Sequence, residues 1–418
     1  MNGRVVVIGL DGLPWSAWKR VAPRLPPLSD GAGGPLLSCQ PPVTIPAWAV
    51  AATGRTPGEI GLYGLRVAEG RRPRLARPAD VQAGPVWDSP GIRCALVGFP
   101  PGSPPAPLNG WRVSCCLAPP GAPWAWPDDL QRELELVVGN YTPDIVYRRE
   151  DPGAAVAEAR AMAVARFRIA AHIARTRPWD LLWLVEMGTD RLQHALGPDH
   201  PAVEAHAQFV VECAGALAAE HPDASLLFMS DHGSEAARGT FALNDWLREQ
   251  GHLALRDAPA PGSEPAADWR KTSAWGWGGY WGKIFVEGRR AALRDSIADG
   301  LESLRGPGGF RIRAHRPEEL YPVCRGNPPD LLLEPAPGWR VGGTVGHPGL
   351  FLDRNDTGPD GAVHCPEGFH WVVDPHRRGR PGLRTLYDVR PFLEAGLATQ
   401  PRSRFGTREW RAEQRLEA

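Results

Sequence analysis

Three short apolar runs, each broken off by an acidic turn, constrain this chain more than any other feature. Val5-Val6-Val7-Ile8-Gly9-Leu10 stops at Asp11-Gly12, Leu181-Leu182-Trp183-Leu184-Val185 is followed by Asp190, and Ser225-Leu226-Leu227-Phe228-Met229 runs into Asp231-His232-Gly233. Five or six apolar residues without alternation suit a strand covered on both faces, as in a parallel sheet. Between the runs, residues 154–176 are rich in Ala, Arg and Met, and residues 202–220 repeat apolar side chains at helical spacing. Strands alternating with helices predict an α/β fold: a mostly parallel central sheet with helices on both faces. Residues 66–151 and 235–339 are less periodic and richer in Pro, Gly and Trp, and read as loop-rich insertions, the second forming a cap. The 418 residues are thus expected to form a single domain carrying two insertions. The polar tail from Pro401 reads as a surface helix.

Composition narrows what such a fold could bind. With 47 basic and 47 acidic residues the chain lacks the positive field of a nucleic-acid or anionic-membrane binder, so no nucleic acid polymer or membrane partner is expected. The 48 glycines and 45 prolines stand near twice ordinary usage, yet below the roughly 25–30% at which disorder is the default. Long structured loops are expected. Seven cysteines without a C-x-x-C pair suggest neither a disulfide framework nor a cysteine zinc site. The first apolar run is too short for a signal segment, so the chain reads as cytoplasmic with free thiols.

Ligands of open parallel sheets bind beyond the carboxyl ends of the strands, and the acidic residues fall there. Asp11, then Asp190 with His194, then Asp231 with His232 follow three separate predicted strands, a donor set suited to zinc or a similar divalent metal. If the segment after Gly188 is helical, Asp190 and His194 at i and i+4 share a face. A nucleophile candidate lies in Pro41-Pro42-Val43-Thr44-Ile45-Pro46-Ala47-Trp48. Thr44 is placed like an N-cap, with Pro46 in the first turn and Gly54 as the helix stop. The bland reading is a capping threonine; the functional one is a helix N-terminus gathering a phosphoryl group that the metal-activated Thr44 hydroxyl attacks.

Val-Ile-Gly-Leu-Asp11-Gly, Pro-Pro-Val-Thr44-Ile-Pro-Ala-Trp, Asp190-x-x-x-His194 and Ser-Asp231-His232-Gly, in this order, resemble the alkaline phosphatase superfamily, and most closely its type I phosphodiesterase / nucleotide pyrophosphatase branch. Gly346-His347-Pro348-Gly349-Leu350-Phe351-Leu352 resembles the branch's last metal-binding histidine before a strand, and residues 385–391 its closing helix. The resemblance implies two divalent metal ions, zinc or else manganese, about 4 Å apart. Asp190, His194 and His347 would hold one; Asp11, Asp231, His232 and the Thr44 oxygen would hold the other. It also implies a phosphothreonine intermediate and a small phosphate-ester substrate, nucleotide-like or otherwise. His364, His370 and His376 remain alternatives to His347.

Two departures bear on substrate. Where the nucleotide pyrophosphatases place an asparagine on a phosphoryl oxygen, counting forward from the nucleophile reaches Leu65. Cys39-Gln-Pro-Pro-Val43 puts valine where a sulfatase motif needs arginine, which disfavours sulfatase activity. The stretch 269–281 reads either as packed cap or as a lid in which Trp275 and Trp277 stack on a base or sugar while Arg270 or Lys271 meets a phosphate. The leading expectation is a phosphodiesterase or nucleotide pyrophosphatase. A phosphomonoesterase of a small metabolite and a catalytically idle binding protein are the alternatives.

Overall fold

A computed structural model describes residues 3–21, 28, 31–147, 153–374 and 382–398. The three apolar runs form the middle of an eight-stranded sheet. Its strands in chain order are β1 (Val5–Leu10), β2 (Ala32–Leu37), β3 (Cys94–Val97), β4 (Gly110–Val113), β5 (Ala125–Trp126), β6 (Leu181–Glu186), β7 (Ser225–Met229) and β8 (Glu367–Val373). They lie in the order β2-β8-β7-β1-β6-β3-β4-β5. The five strands from β7 to β4 are mutually parallel, whereas β8, β2 and β5 pair antiparallel toward the edges.

Every residue of β1, β6 and β7 is buried, which is why these strands carry no alternation. The helices that cover them include α1 (Thr44–Thr53), α2 (Gly153–Thr176), α3 (Gly188–Leu196) and α4 (Pro201–Ala219). Helix α1 ends at Gly54, whose φ of 64° is the left-handed geometry that glycine adopts without strain.

The two expected insertions have different fates. Residues 66–151 include β3, β4 and β5 of the large sheet; of the strands described in this range, the hairpin Arg66–Glu69 with Arg72–Leu75 stands outside it. Strands of two to four residues, set among prolines, hid this edge from a reading based on periodicity. Residues 235–339 supply a separate antiparallel sheet, Ala274–Trp277, Gly282–Val286, Leu331–Pro335 and Ile312–His315, with a hydrophobic cluster of its own around Phe241, Trp246, Ile284 and Phe310. The tail from Pro401 lies outside the described residues. Among the described residues no helix is long and apolar enough to cross a membrane, and all seven cysteines are free.

Candidate active site

The carboxyl ends of β1, β6 and β7 deliver the expected side chains to one place. Asp11 leaves β1, Asp231 and His232 leave β7, and α3 carries Asp190 and His194 one turn apart, all of them buried. Glu186, the last residue of β6, fastens α3: its carboxylate accepts the Gly188 amide at 2.8 Å and meets His206 Nε2 at 3.2 Å.

Thr44 departs from expectation in an informative way. Val43, not Thr44, is the N-cap residue, and no side chain caps the helix. As the first helical residue Thr44 keeps its hydroxyl free for the sheet, with Oγ1 3.4 Å from Asp11 Oδ1 and 3.2 Å from His232 Nε2. The bland capping role therefore fails. Asp11 is aimed by Trp48 Nε1, which donates to its other oxygen at 2.7 Å from the next turn of α1.

Of the candidate histidines, the structure brings His364, and not the expected His347, to Asp190 and His194. His364 Nε2 lies 3.3 Å from His194 Nε2 and 3.6 Å from Asp190 Oδ1, and its ring stacks on His232 with centroids 3.7 Å apart. Antiparallel pairing of Ala362–Cys365 with Gly233–Ala236 sets His364 opposite Ser234, just past His232. His347 instead belongs to a turn fastened to the cap: Asp245 accepts its amide at 3.1 Å and that of Gly346 at 3.0 Å, and its ring meets Thr344 Oγ1 at 2.8 Å. The signal in the sequence was weak: His364 lies in the short apolar segment Ala362–Cys365, which ends just before β8. His370 lies on β8 with its backbone paired to Met229 and away from the group, and His376 is outside the described residues.

Sequence reading also missed the groups that orient these side chains. His194 Nδ1 meets Asp360 Oδ1 at 2.7 Å, and Asp360 is in turn paired with Arg340. Arg191 donates to Asp190 at 2.6 Å and to both oxygens of Asp144 at 2.8 and 2.9 Å. Tyr280, from the cap, brings its hydroxyl 3.1 Å from His194 Nε2 and stacks on His364 at 3.6 Å. Such partners fix a ring or carboxylate in the orientation a metal needs.

Two overlapping groups result: Asp190, His194 and His364, and Asp11, Asp190 and His232, with donor atoms within 4.8 Å of one another in each. Asp231 adjoins the second through His232 Nε2 at 3.3 Å. One Asp231 oxygen accepts the Gly12 amide at 3.2 Å, while the other, buried, is the one near His232 Nε2 and has no hydrogen-bond partner among the described residues. A buried carboxylate oxygen left bare is costly, and a divalent cation would satisfy it. Electrostatics agree. Burial and neighbouring Asp190 push Asp11 up to about 8, and burial with Asp11 drives Asp231 well above the usual carboxylate range. Burial lowers His232 to about 4 and, with His232 beside it, drives His364 well below the ordinary histidine value. Against burial, Asp190 and Asp360 raise His194 to about 10. Without cations Asp11 and Asp231 are thus held protonated, whereas, against burial, His194 and Arg191 hold Asp190 well below the usual carboxylate range; the donor set fits metal ions.

A stability test follows from these shifts. Asp11 keeps its proton in the folded chain up to about pH 8, and His194 up to about 10, whereas the unfolded chain has released both above about pH 6.5. The folded state then holds more protons, so stability falls as pH rises from 6.5 to 8. We expect the Tm of chelator-treated protein to drop by roughly 2–6 °C over that interval. Zinc should reverse the drop and release protons measurable by calorimetry in two buffers. Taking the difference between chelated and zinc-loaded protein removes titrations elsewhere; an unchanged difference across the interval would contradict the assigned protonation.

The site opens into a cavity of about 630 Å³ walled by Thr44, Leu65, Trp275, Trp277, Tyr280 and Lys283, among others. Trp275 and Trp277 are each only 9% exposed and pack on Phe285, so they serve the cap's own core as well as the cavity wall. Arg270 and Lys271 do not line the cavity. They are exposed, beside Asp268 at 4.0 and 3.9 Å.

The description "Type I phosphodiesterase / nucleotide pyrophosphatase" matches residues 5–364. The chain belongs to this family. The family lies within the alkaline phosphatase superfamily and consists of phosphoester hydrolases. Among solved structures, phosphonoacetate hydrolase from Sinorhizobium meliloti 1021, in complex with phosphonoacetate, aligns with a TM-score of 0.64 and 16% identity over 95% of this chain and 96% of that one. Murine ectonucleotide pyrophosphatase / phosphodiesterase 5, in complex with AMP, aligns with a TM-score of 0.58 and 14% identity over 96% of each chain. Its human counterpart gives 0.59 and 13% over 95% and 96%. These identities speak for the fold alone. Comparison with curated protein sequences finds no match.

Proposed function

We propose that this protein is a two-metal hydrolase of small phosphate or phosphonate esters, with Thr44 as nucleophile and zinc or manganese as the ions. The observation that carries the reading is the Thr44 hydroxyl, free of any capping role, facing Asp11 and His232, with a buried Asp231 oxygen near His232 that has no hydrogen-bond partner among the described residues. Asp190, His194 and His364 would hold one ion; Asp11, Asp231, His232 and Thr44 Oγ1 would hold the other. Bound ions would supply charge neutralisation at phosphorus and lower the pKa of the attacking hydroxyl and of the water that follows it. Thr44 Oγ1, its proton lost to solvent, attacks phosphorus as the bond to the leaving oxygen breaks, giving a phosphothreonine. Water then attacks the same phosphorus and returns Oγ1. Trp48, Arg191 and Asp360 hold Asp11, Asp190 and His194 in place through both steps.

The small molecules in the similar structures, phosphonoacetate and AMP, suit a substrate of the size that this cavity admits. Phosphodiester or pyrophosphate cleavage is the first choice from the family. A monoesterase is favoured by one feature: Leu65, 41% exposed on the cavity wall, offers no polar contact where the family's asparagine would stand. Rates on bis-p-nitrophenyl phosphate and p-nitrophenyl phosphate separate the two. Chelation is expected to lower turnover of the preferred ester by about 10³-fold or more, with zinc or manganese restoring it. Absence of metal-stimulated turnover on either ester rejects the proposal and favours an idle binding protein. The sequence's cytoplasmic expectation is retained as part of the proposal, to be checked by fractionation.

A further inference from the structure

The chain has three lysines. Lys19 and Lys271 are exposed, whereas Lys283 is only 7% exposed, as the second residue of Gly282–Val286 in the cap sheet. Among the described residues no carboxylate pairs with it and no acceptor takes a hydrogen bond from it, although Nζ reaches the cavity wall. A lysine that merely covered apolar surface would send its ammonium to bulk water. This one instead abuts the backbone of the 61–65 loop, where a Cβ added to Gly64 would fall 2.4 Å from Nζ. The nearest charge that bears on it is another cation, Arg66, and burial together with Arg66 lowers Lys283 to about 8. Folding that sets an ammonium against a guanidinium in a part-dry cavity places both for an anion.

The wider wall agrees. Arg71, Arg191 and Arg340 also line the cavity, but Glu287, Asp144 and Asp360 neutralise them. Arg66, Arg72 and Arg256 line it too, without a side-chain hydrogen bond or ion pair among the described residues. Lys283 also stands near the chemistry. Tyr280, three residues earlier, touches His194 and His364, and three residues span at most about 11 Å. Trp277, opposite Lys283 on the neighbouring strand, lines the same cavity.

We infer that Lys283, with Arg66 beside it, forms an anion subsite in the catalytic cavity, and that the substrate carries a second negatively charged group, a carboxylate or a further phosphate, beyond the phosphorus presented to Thr44. The inference rests on the phosphoester hydrolase reading for the place of that phosphorus, but its test does not need turnover. Calorimetry on the zinc-loaded protein compares 3-phosphonopropionate with its uncharged-tail analogue 3-methylbutylphosphonate, and both with ethane-1,2-diphosphonate. The wild type is expected to bind at least one of the two doubly anionic ligands about tenfold or more tightly than the analogue, the tighter one naming the second group. Lys283→Met should collapse that ratio while leaving the analogue's affinity within about twofold, and Lys283→Arg should keep most of it.

Equal affinities in the wild type, or an equal loss for all three ligands in Lys283→Met, overturns the subsite; the latter would place Lys283 on the first phosphorus or in the scaffold. If Lys283→Met does not fold, Arg66→Ala on the exposed hairpin carries the test, with the ratio expected to fall about threefold or more and an unchanged ratio counting against the subsite. A Lys283-dependent ratio without turnover of aryl esters would remove the hydrolase reading and leave the subsite, and turnover without such a ratio would do the reverse.

Discussion

Thr44→Ala is expected to lower kcat on the preferred ester by about 10⁴-fold or more, the scale on which removal of a covalent nucleophile acts. Substrate binding should largely survive, because, of the groups proposed to hold the metals, only the Thr44 oxygen is removed, and Asp11, Asp231 and His232 remain. The Tm of Thr44→Ala should stay within about 2 °C of the wild type, since the hydroxyl caps no helix and no stabilising bond of α1 depends on it. Thr44→Ser, which keeps the oxygen, should recover part of the rate. A short incubation with a labelled ester followed by acid quench should leave phosphate on the peptide containing Thr44 and none in the alanine variant. Near-normal turnover in Thr44→Ala would rule out the phosphothreonine route, and water would then have to attack directly.

The second large effect separates two histidines. His364→Ala should lose one equivalent of metal by elemental analysis and lower kcat/KM by about 10³-fold, as expected when a Lewis acid worth several kcal/mol is displaced. His347→Ala should keep both equivalents and remain within about threefold of the wild type. The reason is positional: His364 Nε2 converges with His194 and Asp190, while His347 meets Thr344 in a turn held by Asp245. If His347→Ala loses the metal and His364→Ala does not, the proposed first metal site is wrong, and the cap must move against the sheet to bring His347 in.

Much of the scaffold was readable before any coordinates. Fully buried parallel strands need unbroken β-branched and aliphatic runs, so β1, β6 and β7 announced themselves, and their carboxyl ends located Asp11, Asp190, His194, Asp231 and His232. Helices α2 and α4 followed from Ala-rich composition and 3.6-residue spacing. The edge of the sheet was less legible. Strands β3 to β5 are two to four residues long, too short to show a period, and so looked like insertion.

What the sequence determined by itself is a set of local facts: which segments are buried strands, which acids follow them, and that Gly54 ends the helix starting near Thr44. What only the tertiary structure decided is which distant side chains share one cavity. His364 replaces His347 because antiparallel pairing with Gly233–Ala236 carries it to His232. Asp360, Tyr280 and Lys283 reach the site from a loop and from the cap sheet, with no spacing that ties them to β1, β6 or β7. The physical reason is range. Strand and helix periodicity, and capping, act over a few residues, so they can be read along the chain. Metal geometry and anion binding depend on charges that meet only after the chain has closed on itself.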